Sequence, residues 1–155
     1  WGVMAECMLG NGDRAWEYYR ASMPAAWNDR AEVRQCEPYV QGQTTYSIYS
    51  PRPGNTRTSW LTGAAAWSYY SATQYILGLR PEAGGLRIDP CIPRDWPGFK
   101  ATRRFRGKMI DIVVSNPDGV CRGVTSITLN GEALSDNLLP AAKLGQHNKV
   151  EVVLG

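Results

Sequence analysis

Thr62-Gly63 stands at the head of the alanine-rich run Ala64-Ala65-Ala66-Trp67, and this pairing of types can do chemistry. The first-turn N–H groups of a helix have no intrahelical acceptor, and the helix dipole favours negative charge beside them. A hydroxyl at that entrance adds a further polar contact, and glycine lets an anion approach the backbone closely. The same threonine could act only as the helix N-cap, and the two roles are compatible.

Other reactive types are dispersed. Cys7, Cys36, Cys91 and Cys121 lie far apart, form no CxxC pair and have only His147 as an imidazole partner, so metal-ligand spacing is missing. Buried, reduced thiols are the expectation for them, and a surface position is the expectation for His147. The net charge of +3 is spread along the chain. Its densest cluster, Arg103, Arg104, Arg106 and Lys108, reads as one solvated strand face, so no nucleic-acid partner is expected.

The elements that must position these residues change period near the middle of the chain. With 155 residues, 43% of them hydrophobic and 20% charged, there is material for one core or two small ones. No run of 18 apolar residues exists, so no membrane partner is expected. The chain opens on Trp1 inside an uncapped helical pattern, which predicts a piece of a longer protein. In the first helix Met4, Met8 and Leu9 make an apolar stripe that Gly10-Asn11-Gly12 should end. Asp13 is placed to cap a second helix over 14–21, with Pro24 beyond its end. Residues 25–59 read mostly as loop, with 39–49 either helical or extended, and a long connection of this kind is commonly functional. The strongest helix is predicted over 63–79, stopped by Gly78 and Pro81.

After Pro81 the period becomes two. Strands are predicted at 86–89, 99–105, 109–114, 124–129 and 150–154, with Asn130-Gly131 as a hairpin turn, which makes the second half antiparallel β.

Several blocks carry a family resemblance: Cys36-Glu37-Pro38-Tyr39-Val40, Ser59-Trp60-Leu61-Thr62-Gly63, Gln74-Tyr75-Ile76-Leu77-Gly78-Leu79-Arg80-Pro81, Ile88-Asp89-Pro90-Cys91-Ile92-Pro93, Trp96-Pro97-Gly98-Phe99 and Arg104-Phe105-Arg106-Gly107. In order and spacing they resemble the C-terminal region of the cellobiose and chitobiose phosphorylases, over essentially the whole chain. The resemblance implies an α+β multidomain fragment: residues 1–81 as the last helices of an (α/α)6 catalytic barrel, and residues 82–155 as an antiparallel β-sandwich. It implies cleavage of a β-linked disaccharide by inorganic phosphate, with inversion, to an α-sugar 1-phosphate. No cofactor is implied beyond phosphate as co-substrate, and a cytoplasmic homodimer is the expected setting.

By the same resemblance Thr62 and Gly63 contact phosphate and Gln43 contacts the donor sugar, where an amide can both donate to and accept from hydroxyls. No catalytic residue is expected in the chain. The family's general acid sits in a similar Trp-Asn-Asp stretch far upstream, so Trp27-Asn28-Asp29 is read as a decoy. Glu37 has no vacancy in a mechanism that needs one acid only, and reads as a structural carboxylate near the pocket. Ala64 departs from the threonine common in the family, which leaves phosphate binding little affected. Two alternatives stand beside this reading: the related C-terminal domain of a cyclic β-1,2-glucan synthase, and a non-catalytic carbohydrate-binding β-module.

Overall fold

Helical segments dominate the first half of the chain and strands the second. The computed structural model describes residues 1–155. Helices α1 (Gly2–Met8) and α2 (Gly12–Ser22) are followed by a 3-10 segment, Pro24–Arg30, and by α3 (Ala31–Arg34). Strands β1 (Gly42–Thr45) and β2 (Thr56–Ser59) precede α4 (Ala64–Tyr70) and a π-helical segment, Ser71–Ile76. Then come β3 (Leu79–Pro81), β4 (Gly85–Ile88), β5 (Gly98–Phe105), β6 (Lys108–Ser115), β7 (Val124–Leu129), β8 (Glu132–Ala133), β9 (Leu138–Pro140) and β10 (His147–Leu154). No helix is long and apolar enough to cross a membrane. The residues form two compact units, 1–16 with 71–155, and 17–70.

In the first unit α1 buries Val3, Met4 and Cys7 and packs on the segment Ser71–Ile76. The expected stripe holds only at Met4, because Met8 and Leu9 are 69% and 74% exposed. One residue is about 100° of helix rotation, and the buried face is turned by that step toward Val3 and Cys7. The predicted stop is found: Gly10, at φ +82°, donates to the Cys7 carbonyl and Asn11 to that of Glu6, a Schellman ending. Asp13 does not cap α2. The helix already begins at Gly12, where a Cβ would stand 2.1 Å from the Ile92 carbonyl oxygen, so only glycine fits. The Asp13 carboxylate instead accepts from the Arg94 backbone N–H at 2.9 Å and from its Nε at 2.8 Å.

The β part is built from a three-stranded sheet, β3-β4-β9, and a five-stranded sheet, β5-β6-β10-β7-β8. Alternation decides the buried face: Ile110, Ile112 and Val114 of β6 and Asn148, Val150, Val152 and Leu154 of β10 point inward, while Asp111, Val113 and Glu151 remain exposed. Leu86, Ile88 and Leu139 of the smaller sheet are fully buried too. The pairing is antiparallel except between β6 and β10, which run parallel. The chain lays down β7, β8 and β9 between them, and a connection of that length lets the second strand re-enter in the same direction. Arg106-Gly107 and Asn130-Gly131 are two-residue turns with both φ values positive, as type I′ hairpins require.

The predicted helix over 63–79 is shorter than expected. Past Tyr70 it widens into the π form, with the Leu77 N–H bonding the Ala72 carbonyl at 2.8 Å. It cannot continue because Gly78 takes φ +66° and lies against the Asp89 carbonyl, and Leu79 already belongs to β3. In the second unit the ambiguous stretch 39–49 is extended at β1, which pairs with β2 in an antiparallel hairpin.

Candidate functional site

The second unit brings two of the sequence blocks together. Trp60 Nε1 donates to Glu37 Oε1 at 3.0 Å. The second carboxylate oxygen of Glu37 accepts from the Cys36 thiol at 3.5 Å. Tyr39 meets the Trp60 ring edge to face, with centroids 6.2 Å apart. A hydrogen bond from its own backbone N–H, followed by those of Trp60 and Cys36, holds the Glu37 carboxyl below the usual carboxylate range. Burial, followed by the neighbouring Glu37, pushes the Cys36 thiol up. Both carboxylate oxygens of Glu37 are thus engaged by neighbours within the chain.

The backbone entering the Trp60-Leu61-Thr62-Gly63 turn is strained. Thr58 and Trp60 hold φ values of +54° and +71°, a region that β-branched and bulky residues seldom occupy. β1 pairs with β2 in a register that sets Gly42 opposite Ser59, so one side of this segment is fixed by the hairpin.

At the turn itself the Thr62 hydroxyl accepts from the Ala64 backbone N–H at 3.1 Å, and the Gly63 carbonyl accepts from the Trp67 N–H at 3.1 Å. Gly63 is therefore the residue whose carbonyl opens the helix, and Thr62 satisfies one of its unpaired donors. A Cβ at Gly63 would have Trp67 Cδ1, at 3.7 Å, as its nearest neighbour, an ordinary contact. Nothing inside the chain requires glycine there.

Gln43 lies on β1 with an exposed side chain that makes no hydrogen bond within the chain. Gln41, two residues earlier, is the amide that is engaged, donating to the Ser22 carbonyl at 3.3 Å and to Ser68 Oγ at 3.4 Å. A cavity of about 510 Å³ in the same unit is bordered by Trp27, Arg34, Gln41, Gly42 and Thr56, and none of Gln43, Thr62 and Gly63 lines it.

The remaining candidates separate clearly. Trp27 Nε1 is tied to the Ala21 carbonyl at 2.8 Å, and Asp29 is an exposed residue of the 3-10 segment. His147 is exposed at the first position of β10. Of the basic cluster, Arg106 donates to the carbonyls of Glu82 and Ala83 and Lys108 to those of Ala141 and Leu144, so these two pin loops rather than form an open cationic face. Cys7 and Cys91 are buried, whereas Cys36 and Cys121 are half-buried. No group of three or more His, Cys, Asp or Glu side chains is arranged to hold a metal ion.

Sequence reasoning missed the Glu37–Trp60 bond and the Gln41 bridge. The partners are 23 and 27 residues apart, and no periodic signal reports such a pairing. Membership of both Glu37 and Trp60 in family blocks was the one available hint.

Two family models match successive parts of the chain. The family model "Glycosyl hydrolase 94 superfamily, catalytic domain" matches residues 1–78, and "Glycosyl hydrolase family 65, C-terminal domain" matches residues 79–133. The chain is 46% identical to an N,N'-diacetylchitobiose phosphorylase of Vibrio proteolyticus over 100% of its length, covering 19% of that protein. It is 43% identical to an N,N'-diacetylchitobiose phosphorylase of Vibrio furnissii, again over 100% of its length and 19% of the relative. With a solabiose phosphorylase of Paenibacillus borealis it shares 31% identity over 97% of its length and 20% of the relative. It thus spans about a fifth of the length of the curated relatives it matches. A catalytic-domain model over residues 1–78 also excludes a β-module standing alone. With the sequence blocks in register across both parts, the chain belongs to the glycosyl hydrolase 94 superfamily.

Proposed function

We propose that the chain is the C-terminal part of an inverting disaccharide phosphorylase that cleaves a β-linked disaccharide with inorganic phosphate. In this reading residues 1–81 are the last helices of an (α/α)6 barrel and residues 82–155 a C-terminal β-sandwich. The relatives named above, disaccharide phosphorylases matched over nearly the whole chain, favour this over a cyclic glucan synthase.

The chemistry needs one proton donor. A phosphate oxygen attacks the anomeric carbon from the face opposite the leaving oxygen, the glycosidic C–O bond breaks, and a carboxylic acid protonates the departing oxygen. A hydrolase needs a second carboxylate to deprotonate water. Phosphate is already an anion, so that role passes to groups that hold it in line with the anomeric carbon. Thr62 and Gly63 are assigned to this task, and Gln43 to the hydroxyls of the donor sugar. The proton donor is assigned to the upstream part of the barrel. No cofactor beyond phosphate is required, and the working protein is taken to be a cytoplasmic homodimer.

The observation that carries this reading is at Gly63. Its glycine is not demanded by any neighbour in the chain, while its carbonyl and the Thr62 hydroxyl define a helix entrance. A position kept free of a side chain without an internal reason is what close approach of a ligand calls for. The test is turnover by the full-length protein with N,N'-diacetylchitobiose as substrate. Sugar 1-phosphate should form only when phosphate is supplied. Equal cleavage in phosphate-free buffer would sink the assignment.

A further inference from the structure

Glu37 occupies a position that the proposed reaction leaves without a task, yet both of its carboxylate oxygens are engaged. Oε1 takes the Trp60 indole N–H at 3.0 Å and Oε2 the Cys36 thiol at 3.5 Å. Trp60 is itself 67% exposed, so burial contributes little to fixing its ring. Its backbone sits at φ +71°, a strained conformation for a residue of this size that persists only where other contacts enforce it. The ring contacts that can enforce it are the Glu37 carboxylate and the edge of Tyr39, both from the Cys36-Glu37-Pro38-Tyr39-Val40 block. Two residues after Trp60 the Thr62 hydroxyl and Gly63 open α4.

We infer that Glu37 is a positioning residue for phosphate use: by holding the Trp60 indole it keeps the strained Trp60-Leu61-Thr62-Gly63 turn in the shape that presents Thr62 and Gly63. This rests on the phosphorylase reading above. A charge-assisted hydrogen bond from an indole N–H is directional, so it can select one ring orientation and with it one backbone conformation. Loss of the bond releases the ring, and the turn relaxes toward an ordinary φ with Thr62 displaced from the bound anion. The donor-sugar contacts proposed for Gln43 lie on a separate strand and should be unaffected.

The experiment is a double-substitution cycle in the full-length protein, with KM for phosphate and for disaccharide measured separately. Glu37→Leu removes the acceptor, and Trp60→Phe keeps a ring but removes the N–H. Each should raise the phosphate KM by about tenfold, leave the disaccharide KM within twofold, and produce no further rise when combined. Glu37→Gln retains an oxygen acceptor and should stay within about threefold of wild type. Circular dichroism of Trp60→Phe guards against misfolding, because that variant alone tests the bond without disturbing the carboxylate. Additive effects of the two substitutions, or a disaccharide KM that rises instead, would overturn the positioning role. So would a Glu37→Gln variant as impaired as Glu37→Leu. If the wild-type protein turns over without phosphate, the phosphorylase reading itself fails and takes this inference with it.

Discussion

Arg122 grips Asp89 with both arms of its guanidinium, Nη2 to Oδ2 at 2.6 Å and Nε to Oδ1 at 3.2 Å. Arg80 closes on the same carboxylate at 2.5 Å, and Arg122 also donates to the Met8 carbonyl at 3.2 Å. A single carboxylate, only 14% exposed, thereby links β3, the Arg122 loop and the end of α1. Replacing it with alanine leaves two guanidiniums facing each other, one of which already has a buried Nε without a partner. Asp89→Ala should therefore cost about 2–3 kcal/mol in urea unfolding. Arg122→Leu should cost about 1 kcal/mol or less, since Arg122 is 37% exposed and Arg80 still neutralises the carboxylate.

Two glycines with nearly the same backbone should respond differently to alanine. Gly78 and Gly107 have φ values of +66° and +78°. A Cβ at Gly78 would stand 2.1 Å from the Asp89 carbonyl carbon and oxygen, whereas at Gly107 it meets nothing within 4 Å. Gly107→Ala carries only the left-handed penalty of about 1–2 kcal/mol. Gly78→Ala adds a clash against backbone and should cost at least about 2 kcal/mol more, or fail to fold. Equal melting temperatures for the two variants would contradict this packing.

Acid stability should carry a mark of Asp13. The Arg94 backbone N–H and, next among the stabilising contacts, its guanidinium hold the Asp13 carboxyl below the usual range. A depressed folded-state value means that the contribution is complete above the ordinary carboxylate value of about 4 and is lost as pH falls through the folded one. Asp13→Asn should flatten the fall of stability in that acid window and leave its pH dependence between 6 and 8 unchanged. Unfolding free energies at a series of pH values would show it, and an identical acid slope in both proteins would count against it.

Much of the β part can be read from sequence because one residue type alternates with another over a fixed interval. β7 falls at 124–129 as expected, and the Asn130-Gly131 turn follows from residues that tolerate positive φ. The helical part was harder for a definite reason. Met8 and Leu9 are apolar, but which face of α1 is buried depends on the segment Ser71–Ile76, which lies more than sixty residues away. Likewise, Gly78 was correctly a stop signal, yet the π widening before it, over Ser71–Ile76, has no counterpart in the apolar spacing that predicted the helix. The helix entrance at Thr62-Gly63 was legible from its residue types, whereas the carboxylate–indole bond joins residues whose separation has no period. The parallel pairing of β6 with β10 is of the same kind, since strand direction is set by the whole connection.

On the proposed phosphorylase reading, activity should depend on parts of the barrel beyond residues 1–155. Residues 1–155 alone are expected to produce no sugar 1-phosphate, because the proton donor and the other phosphate ligands are assigned elsewhere in the longer protein. Measurable phosphorolysis by the purified chain would show that an acid within it, such as Glu37 or Asp29, does work that the present assignment denies.

Gly63 offers the sharpest separation of a structural role from a ligand-binding one. Its Cβ position is clear of everything but an ordinary contact with Trp67, and its φ is not positive, so alanine fits the folded chain. The expected loss of stability is at most about 1 kcal/mol, the difference between glycine and alanine at a helix entrance. If the entrance receives phosphate, however, the added methyl occupies the space the anion needs, and the phosphate KM should rise by a factor of about ten or more while the melting temperature barely moves. Thr62→Val removes an acceptor for the Ala64 N–H together with a donor for phosphate. It should raise the phosphate KM by about 10- to 100-fold, the range of one hydrogen bond to a charged group. A purely capping Thr62 predicts the opposite pattern: lowered stability for Thr62→Val with phosphate KM unchanged, and a Gly63→Ala variant as active as the parent. Thermal melts and phosphate saturation curves on the same two variants therefore decide between an entrance that only starts a helix and one that also holds the nucleophile.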